Sequence, residues 1–213
     1  MSSPKPSKSM STTPVNDPPQ QRLVLVKHTK PVLDAALPAH SWQLSPEGRE
    51  SCLRLAEWLK AYAPHRIFTS QETKAAETGH LVAQRLGLPC ESFPGLHEHE
   101  RPQPGLSSLE AFHANVRLLF DRPSEIVFGS ESADQAYARF SSAIDGLLEK
   151  WGKQAGALVV VAHGTVISLF VSRRCGLEPF PLWQSLGLPS AVVIDLMDDG
   201  RLSDQPPLIH SQF

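Results

Sequence analysis

Two apolar runs that lead to a histidine dominate the pattern of hydrophobic and polar positions along the chain. Residues 22–28 pass through four aliphatic residues before reaching His28, and residues 158–163 pass through five apolar residues before reaching His163. Continuous apolar runs of this kind are typical of strands that are buried on both faces of a parallel sheet. Ligands bind at the carboxyl ends of the strands in open α/β sheets, so both histidines are candidate ligand-binding residues.

Helical periodicity separates the predicted strands. In residues 46–59 the apolar positions recur every three or four residues, and Ser45 followed by Pro46 is a typical helix start. The same reasoning predicts further helices at 74–86, 107–120, 132–151 and 165–174, and further strands at 66–70, 90–93 and 191–196. We interpret Trp183 as a core residue and the chain beyond Gly200 as irregular.

The alternation of strands and helices predicts an α/β fold, a three-layer sandwich in which a mostly parallel central sheet is flanked by helices. Two consecutive helices, 107–120 and 132–151, interrupt this alternation, and we expect them to form a helical cap or side lobe near the strand ends. Residues 1–21 are rich in Ser, Thr and Pro and have little to bury, which predicts a disordered tail. We expect residues 22–213 to form a single domain.

The overall composition argues against several classes of partner. The formal net charge is −2 and the chain has no run of Lys and Arg, so we expect neither a nucleic acid nor a membrane surface as a partner. No apolar stretch approaches the ~20 residues of a transmembrane helix. Three cysteines without a CxxC spacing indicate reduced thiols rather than a disulfide framework or a zinc site, which favours a cytoplasmic location.

Titratable and donor groups gather where the predicted strands end. The candidates are Lys27, His28, Ser70, Lys74, Glu98, His163 and Gly164. Imidazoles, ammonium groups, a carboxylate and a helix N-terminus together suit a tetrahedral dianion such as phosphate. A neutral imidazole can attack phosphorus to form a phosphohistidine, and a carboxylic acid can protonate the departing oxygen. The His and Glu residues at 97–100 also allow a metal site, but neighbouring residues rarely point at one ion, and we expect neither metal nor cofactor.

Taken in order, short motifs across residues 22–196 resemble those of the histidine phosphatase superfamily, also called the phosphoglycerate-mutase-like family. The motifs are Lys27-His28-Thr29, Leu44-Ser45-Pro46-Glu47-Gly48, Ser70 to Gly79, Leu96-His97-Glu98, Glu131-Ser132 with Arg139, and Val161-Ala162-His163-Gly164. Each motif alone is common, whereas their joint order and spacing are specific.

The resemblance implies a mechanism as well as a fold. His28 would be the nucleophile, His163 would bind the transferring phosphoryl group, and Glu98 would donate a proton. Lys27 and Lys74 would take the two arginine positions of the family's phosphate pocket. The remaining residues that we expect to contact phosphate are Ser70, Arg101 and Gly164.

We therefore expect a metal-independent phosphomonoesterase that acts on a phosphorylated small molecule or a phosphoprotein. Lys27 and Thr29, which flank the nucleophile, replace the family's Arg and Gly, and this motivates a second hypothesis, a protein that binds a phosphorylated ligand without turnover. A phosphoglycerate-type mutase is a third hypothesis. It is less favoured because a mutase needs a strongly cationic pocket, whereas lysines replace both arginines and the loop at 97–106 is short and Pro-rich.

Overall fold

The central sheet of the computed structural model contains the five predicted strands and one more. The strands are β1 (Arg22–Lys27), β2 (Arg66–Thr69), β3 (Cys90–Ser92), β4 (Ala157–Ala162), β5 (Ser190–Asp195) and β6 (Leu208–His210). Their order is β3-β2-β4-β1-β5-β6, in which β1 to β4 are mutually parallel and β5 and β6 are joined by antiparallel pairing. The structure describes residues 20–101, 108–152, 154–211 and 213, so residues 1–19 of the predicted tail lie outside the described residues.

Within the described ranges the chain forms six α-helices. They are α1 (Pro46–Leu59), α2 (Thr73–Leu86), α3 (Leu109–Asp121), α4 (Ala133–Trp151), α5 (Gly164–Cys175) and α6 (Pro179–Ser185). Leu23 and Leu158 of the central strands pack in the cluster that contains residues of α4 and α5. Their neighbours Val24 and Val159 point to the opposite face and pack against α1 and α2. The predicted three-layer sandwich is therefore confirmed.

Local signals fix the first helix and the loop before it. Ser45 Oγ accepts a hydrogen bond from the Gly48 amide at 3.0 Å, which caps α1 at the predicted position. Residue 48 must be small, because a Cβ there would lie 2.1 Å from the carbonyl oxygen of Lys30. This close approach holds the loop that follows His28 against the first turn of α1.

The two helices that interrupt the strand–helix alternation have different surroundings. Contrary to the prediction, α4 is not part of a cap: it lies on the sheet, with Phe140 and Leu147 fully buried in the core. α3 packs instead against α6, where the rings of Phe112 and Trp183 lie 5.7 Å apart, edge to face. Because Trp183 also approaches the start of α5, α3 and α6 form the cap near the strand ends. Residue 107, the predicted start of the first of these helices, lies outside the described residues.

Two further interpretations of the sequence are wrong. The chain beyond Gly200 is not uniformly irregular, because residues 208–210 form β6, which pairs with β5 at the edge of the sheet. This strand is set by its pairing with β5, which lies elsewhere in the sequence. Trp183 is not a core residue either: it is only half-buried, whereas Phe180 and Leu182 of the same short helix are buried.

The cysteines are all free thiols in the structure. Cys52 is buried on α1, while Cys90 and Cys175 are partly exposed. Among the residues that the structure describes, no helix combines the length and the apolar character needed to cross a bilayer.

Candidate active site

The two histidines predicted at strand ends meet in the structure. β1 and β4 are adjacent and parallel, and Lys27 lies beside Ala162, so the residues that follow, His28 and His163, are side by side. Their ring centroids are 5.3 Å apart, with an interplanar angle of 61°. Only 7% of His28 and none of His163 is exposed. The parallel register therefore creates a buried histidine pair from two distant parts of the chain.

The ring of His28 is held in one orientation. Its Nδ1 lies 2.8 Å from the carbonyl oxygen of Thr29, so Nδ1–H donates to that carbonyl and Nε2 keeps its lone pair. Burial, together with the charges of His163 and Lys74, lowers the pKa of His28 well below its ordinary value. A neutral imidazole with a free Nε2 is the form that can attack phosphorus.

Thr29, which stands where the family pattern has glycine, directs its side chain away from the histidines. Its Oγ1 lies 3.2 Å from Thr78 Oγ1 and 3.6 Å from Cys52 Sγ, and the residue is fully buried. Its amide donates to the same Thr78 oxygen at 3.1 Å. The added bulk is therefore accommodated between α1 and α2.

Both predicted lysines act on His28, and each has an acceptor in the protein. Lys74, of which 5% is exposed, donates to the carbonyl of Ala39 at 2.8 Å and forms an ion pair with Glu72. Lys27 donates to the carbonyl of Leu186 at 2.7 Å, and burial lowers its pKa below the ordinary value. The site therefore holds two ammonium groups in a largely desolvated position.

Gly164 makes room for one of these lysines at the start of α5. A Cβ at this position would lie 3.3 Å from Lys27 Cε, 3.4 Å from Lys27 Nζ and 3.5 Å from Trp183 Nε1. The glycine therefore allows the ammonium group and the indole to approach the helix N-terminus. Its predicted contact with phosphate stays a prediction.

Ser70 is engaged with His163. Ser70 Oγ lies 2.8 Å from His163 Nε2 and accepts the amide of Glu72 at 3.2 Å. His163 Nδ1 is buried, and it has no hydrogen-bond partner among the described residues. Burial lowers the pKa of His163 to about 4, although the carboxylates of Glu72 and Glu98 act in the opposite direction. His163 is therefore neutral at neutral pH and oriented by Ser70, whose own contact with phosphate stays a prediction.

Glu98 is bound to the N-terminus of α5. Its carboxylate accepts the amides of Thr165 at 3.1 Å, Val166 at 3.3 Å and His99 at 2.9 Å. A helix N-terminus favours an anion here, and Arg101 Nη2 lies 3.4 Å from Glu98 Oε2. Burial raises the pKa of Glu98, but the charge of Arg101 and the amide donors outweigh burial and lower the pKa below its ordinary value. The predicted proton donor is thus held in its ionised form.

Arg101, a predicted phosphate ligand, pairs with Glu98 and lies against two aromatic rings. Its guanidinium carbon is 4.9 Å from the ring centre of Phe112 and 5.7 Å from that of Phe128. These contacts hold the guanidinium on the cap side of the site. Contact between Arg101 and phosphate stays a prediction.

A largely buried ion pair fixes the loop that carries Glu98. Arg139 of α4 donates to the carbonyl oxygens of Gly95 and His97 at 2.9 Å and to that of Glu98 at 3.2 Å. It also pairs with Glu131 at 2.6 Å. Glu131 and Arg139 therefore position the Glu98 loop, a role that the sequence motif by itself did not indicate.

The residues at 97–100, which also allowed a metal site, point to different partners. His99 Nε2 lies 2.8 Å from the carbonyl oxygen of Glu131, whereas Glu98 binds the amides of α5. Across the described ranges, no three His, Cys, Asp or Glu side chains are grouped in a way that could hold a metal ion.

One carboxylate in the site is absent from the residues predicted from the sequence. Glu72 forms an ion pair with Lys74, accepts the amide of Glu98 at 2.8 Å, and places Oε1 3.7 Å from His163 Nε2. Burial raises the pKa of Glu72, but the charges of His163 and Lys74 and the hydrogen bonds lower it to about 2. No sequence signal marked it, because the helix predicted at 74–86 is preceded by Thr73, an ordinary cap residue, and Glu72 is the N-cap only in the structure.

The chain and its structure are similar to known phosphatases. A family model described as histidine phosphatase superfamily (branch 1) matches residues 23–203. The structure resembles a mycobacterial glucosyl-3-phosphoglycerate phosphatase at 22% identity and a TM-score of 0.67, covering 90% of this chain and 99% of that chain. It also resembles the α-ribazole phosphatase of Shigella flexneri at 18% identity and a TM-score of 0.64, covering 87% and 95% of the two chains. At these identities the structural similarity establishes a shared fold. No curated protein matches the chain significantly.

Proposed function

Because the chain belongs to the histidine phosphatase superfamily, we propose that it is a phosphomonoesterase that forms a phosphohistidine on His28. The observation that carries this proposal is the state of His28, which donates Nδ1–H to Thr29, keeps Nε2 free, and lies 5.3 Å from His163 between ring centres. The phosphatases with similar structures support the same reaction class. The substrate would be a phosphorylated small molecule or a phosphoprotein.

In the proposed first step, the Nε2 lone pair of His28 attacks phosphorus, so that a nitrogen–phosphorus bond forms and the bond to the ester oxygen breaks. The electron pair of the broken bond stays on the ester oxygen, which takes a proton from the Glu98 carboxylic acid and leaves as an alcohol. His163, Lys27 and Lys74 stabilise the charge on the remaining phosphoryl oxygens.

In the second step, the Glu98 carboxylate takes a proton from water while the water oxygen attacks phosphorus. The nitrogen–phosphorus bond breaks, and its electron pair returns to Nε2 of His28. Inorganic phosphate leaves, and Glu98 carries the proton for the next cycle. The Thr29 carbonyl accepts Nδ1–H throughout, which stabilises the positive charge of the phosphorylated ring.

The role of Glu98 comes from the family resemblance, and it requires a proton on the carboxylate when substrate is bound. In the free protein, Arg101 and the amides of α5 oppose this by lowering the pKa of Glu98. A phosphate dianion beside the carboxylate acts the other way, because a like charge raises the pKa of a carboxyl group. We therefore expect Glu98 to take up its proton in the substrate complex.

The test is hydrolysis of para-nitrophenyl phosphate by wild-type protein and by His28→Ala, each with and without a chelator. We expect His28→Ala to lower kcat at least ~10³-fold and the chelator to have no effect. His80→Ala, which removes an exposed histidine from α2, is the matched control and should keep the wild-type rate. Activity that survives the His28 substitution, or that disappears with the chelator, would refute the proposal.

A protein that binds a phosphorylated ligand without turnover is a second candidate, because the amides of Thr165 and Val166 hold Glu98 as an anion. Rapid-quench labelling with acetyl phosphate, a reactive phosphoryl donor, separates the two candidates. An acid-labile, base-stable phosphoprotein that is lost in His28→Ala supports turnover through a phosphohistidine. Ligand binding without any labelled protein supports the second candidate.

A further inference from the structure

Glu72 is a second largely buried carboxylate in the proposed phosphate site, and the proposed mechanism leaves it unused. Its side chain is 12% exposed and forms an ion pair with Lys74. Its Oε1 accepts the amide of Glu98 at 2.8 Å and lies 3.7 Å from Nε2 of His163. Lys74 and His163 are two of the groups proposed to contact phosphoryl oxygens. The carboxylate therefore engages positions that a bound oxyanion would use.

Helix capping does not explain these contacts. Glu72 is the N-cap residue of α2, and its side chain makes no hydrogen bond to the amides of that helix. Residues that cap well have short polar side chains, such as Ser, Thr, Asp and Asn. The longer side chain of Glu72 extends across the site to the amide of Glu98. Glu72 therefore contacts other residues of the site and none of the free amides of its own helix.

The carboxylate of Glu72 changes the net charge of the site. Lys27, Lys74 and Arg101 bring positive charge. Glu72 and Glu98 offset most of it, because the burial of both histidines keeps them neutral. A phosphate dianion would add negative charge beside Glu72 and compete with it for Lys74. Two anions that share one ammonium group repel each other, and a proton on one of them removes most of that repulsion.

We propose that Glu72 takes up a proton when a tetrahedral oxyanion binds beside His28, so that binding of a dianion is coupled to protonation of this side chain. The inference rests on the proposed function, because it takes the site to be a phosphate site. Protonated Glu72 still accepts the amide of Glu98 and gains a proton that it can donate to a phosphate oxygen. Loss of that proton after hydrolysis restores the repulsion and favours release of inorganic phosphate.

Glu72 lies beside Lys74 on α2 and His163 at the start of α5, and it binds the amide of Glu98 in the loop after β3. Lys27, His28 and Arg101 carry charges that act on these neighbours. Several of these groups can also exchange a proton when an anion binds. Glu72→Gln separates their contributions from that of Glu72, because the carboxamide keeps the acceptor for the Glu98 amide and leaves every other group in place. With a pKa of about 2 in the free protein, Glu72 starts fully ionised at neutral pH.

The experiment measures proton uptake on binding of tungstate, a tetrahedral dianion that takes up no proton itself near neutral pH. Isothermal titration calorimetry in two buffers of different ionisation enthalpy gives the number of protons bound per tungstate. We expect Glu72→Gln to take up fewer protons than wild type, by up to one, the full proton requiring that the bound dianion raise the pKa of Glu72 from about 2 to above the pH of the titration. We also expect it to bind tungstate at least about tenfold more tightly above neutral pH, because a like charge is removed. Glu91→Gln, at an exposed ion pair on β3, is the control and should match wild type.

Equal proton uptake by wild type and Glu72→Gln would overturn the inference and leave the phosphatase proposal standing. Uptake near zero in the wild-type protein would overturn it without any variant, so the test does not depend on the folding of Glu72→Gln. Failure of the wild-type protein to bind tungstate would overturn the phosphate site itself, and the inference with it.

Discussion

Acid should destabilise this protein through His163, a fully buried histidine that is neutral when the chain is folded. Burial lowers its pKa from 6.5 to about 4. Below pH 6.5 the unfolded chain therefore binds a proton that the folded chain does not bind until about pH 4, so stability is lost as the pH falls through this range. At about 1.4 kcal/mol per pKa unit, the free energy of unfolding falls by about 3 kcal/mol in total. His28, whose pKa is also lowered by burial, acts in the same direction.

The carboxylate of Glu72 acts in a different pH range. Its pKa is lowered from 4.5 to about 2, so the stability that its ionised form contributes is present above pH 4.5 and is lost as the pH falls towards 2. The interval from about pH 5 to about pH 6.5 therefore isolates the effect of the buried histidines.

Urea unfolding at a series of pH values within that interval measures the effect. We expect the free energy of unfolding to fall by up to about 1.4 kcal/mol per pH unit for each of His28, His99 and His163, because burial lowers the pKa of all three. His163→Gln removes one of these contributions, so its pH dependence should be shallower by about 1 kcal/mol per unit averaged over the interval. A wild-type free energy that stays constant across the interval, or an unchanged slope in His163→Gln, would refute the reasoning that His163 is buried in its neutral form.

Three further predictions can be checked by urea unfolding and by hydrolysis of para-nitrophenyl phosphate. Arg139→Met should lower the free energy of unfolding by about 3–5 kcal/mol, because a buried carboxylate and three loop carbonyls lose their donor. Arg201→Met, which breaks an exposed ion pair, should lower the free energy of unfolding by less than about 1 kcal/mol. Equal losses in the two variants would contradict the inference that Arg139 supports the Glu98 loop. Phe140→Ala should cost about 3–5 kcal/mol, since the ring is fully buried, and a cost below ~1 kcal/mol would contradict rigid packing there. Gly48→Ala should cost about 1–3 kcal/mol and slow hydrolysis, because its Cβ would lie 2.1 Å from the Lys30 carbonyl oxygen; wild-type stability and rate would contradict this close approach.

Most of the fold could be predicted because its signals are local. The apolar runs before His28 and His163 predict β1 and β4, and Ser45 with Pro46 predicts the start of α1. Such signals depend on backbone periodicity and on the first free amides of a helix, which involve only neighbouring residues. β6 and Trp183 were misjudged because their environment is set by β5 and by the cap, which lie elsewhere in the sequence.

The candidate residues of the site could be named from the order of the motifs, and the parallel pairing of β1 and β4 then brings His28 and His163 together. Their roles in phosphate chemistry stay predictions. These residues could be named from the sequence because the chemistry depends first on residue type, and the residue types at the strand ends can be read without knowing the contacts.

By itself, the sequence determined the α/β architecture, the family and the side chains available at the strand ends. Only the tertiary structure decided what those side chains contact: the α5 amides hold Glu98, Glu72 enters the site beside Lys74, and Thr29 packs away from it. The physical reason is that the protonation state of a buried group depends on every charge and donor within a few ångströms. Those groups come from segments that are far apart in the chain, and no local pattern contains that information.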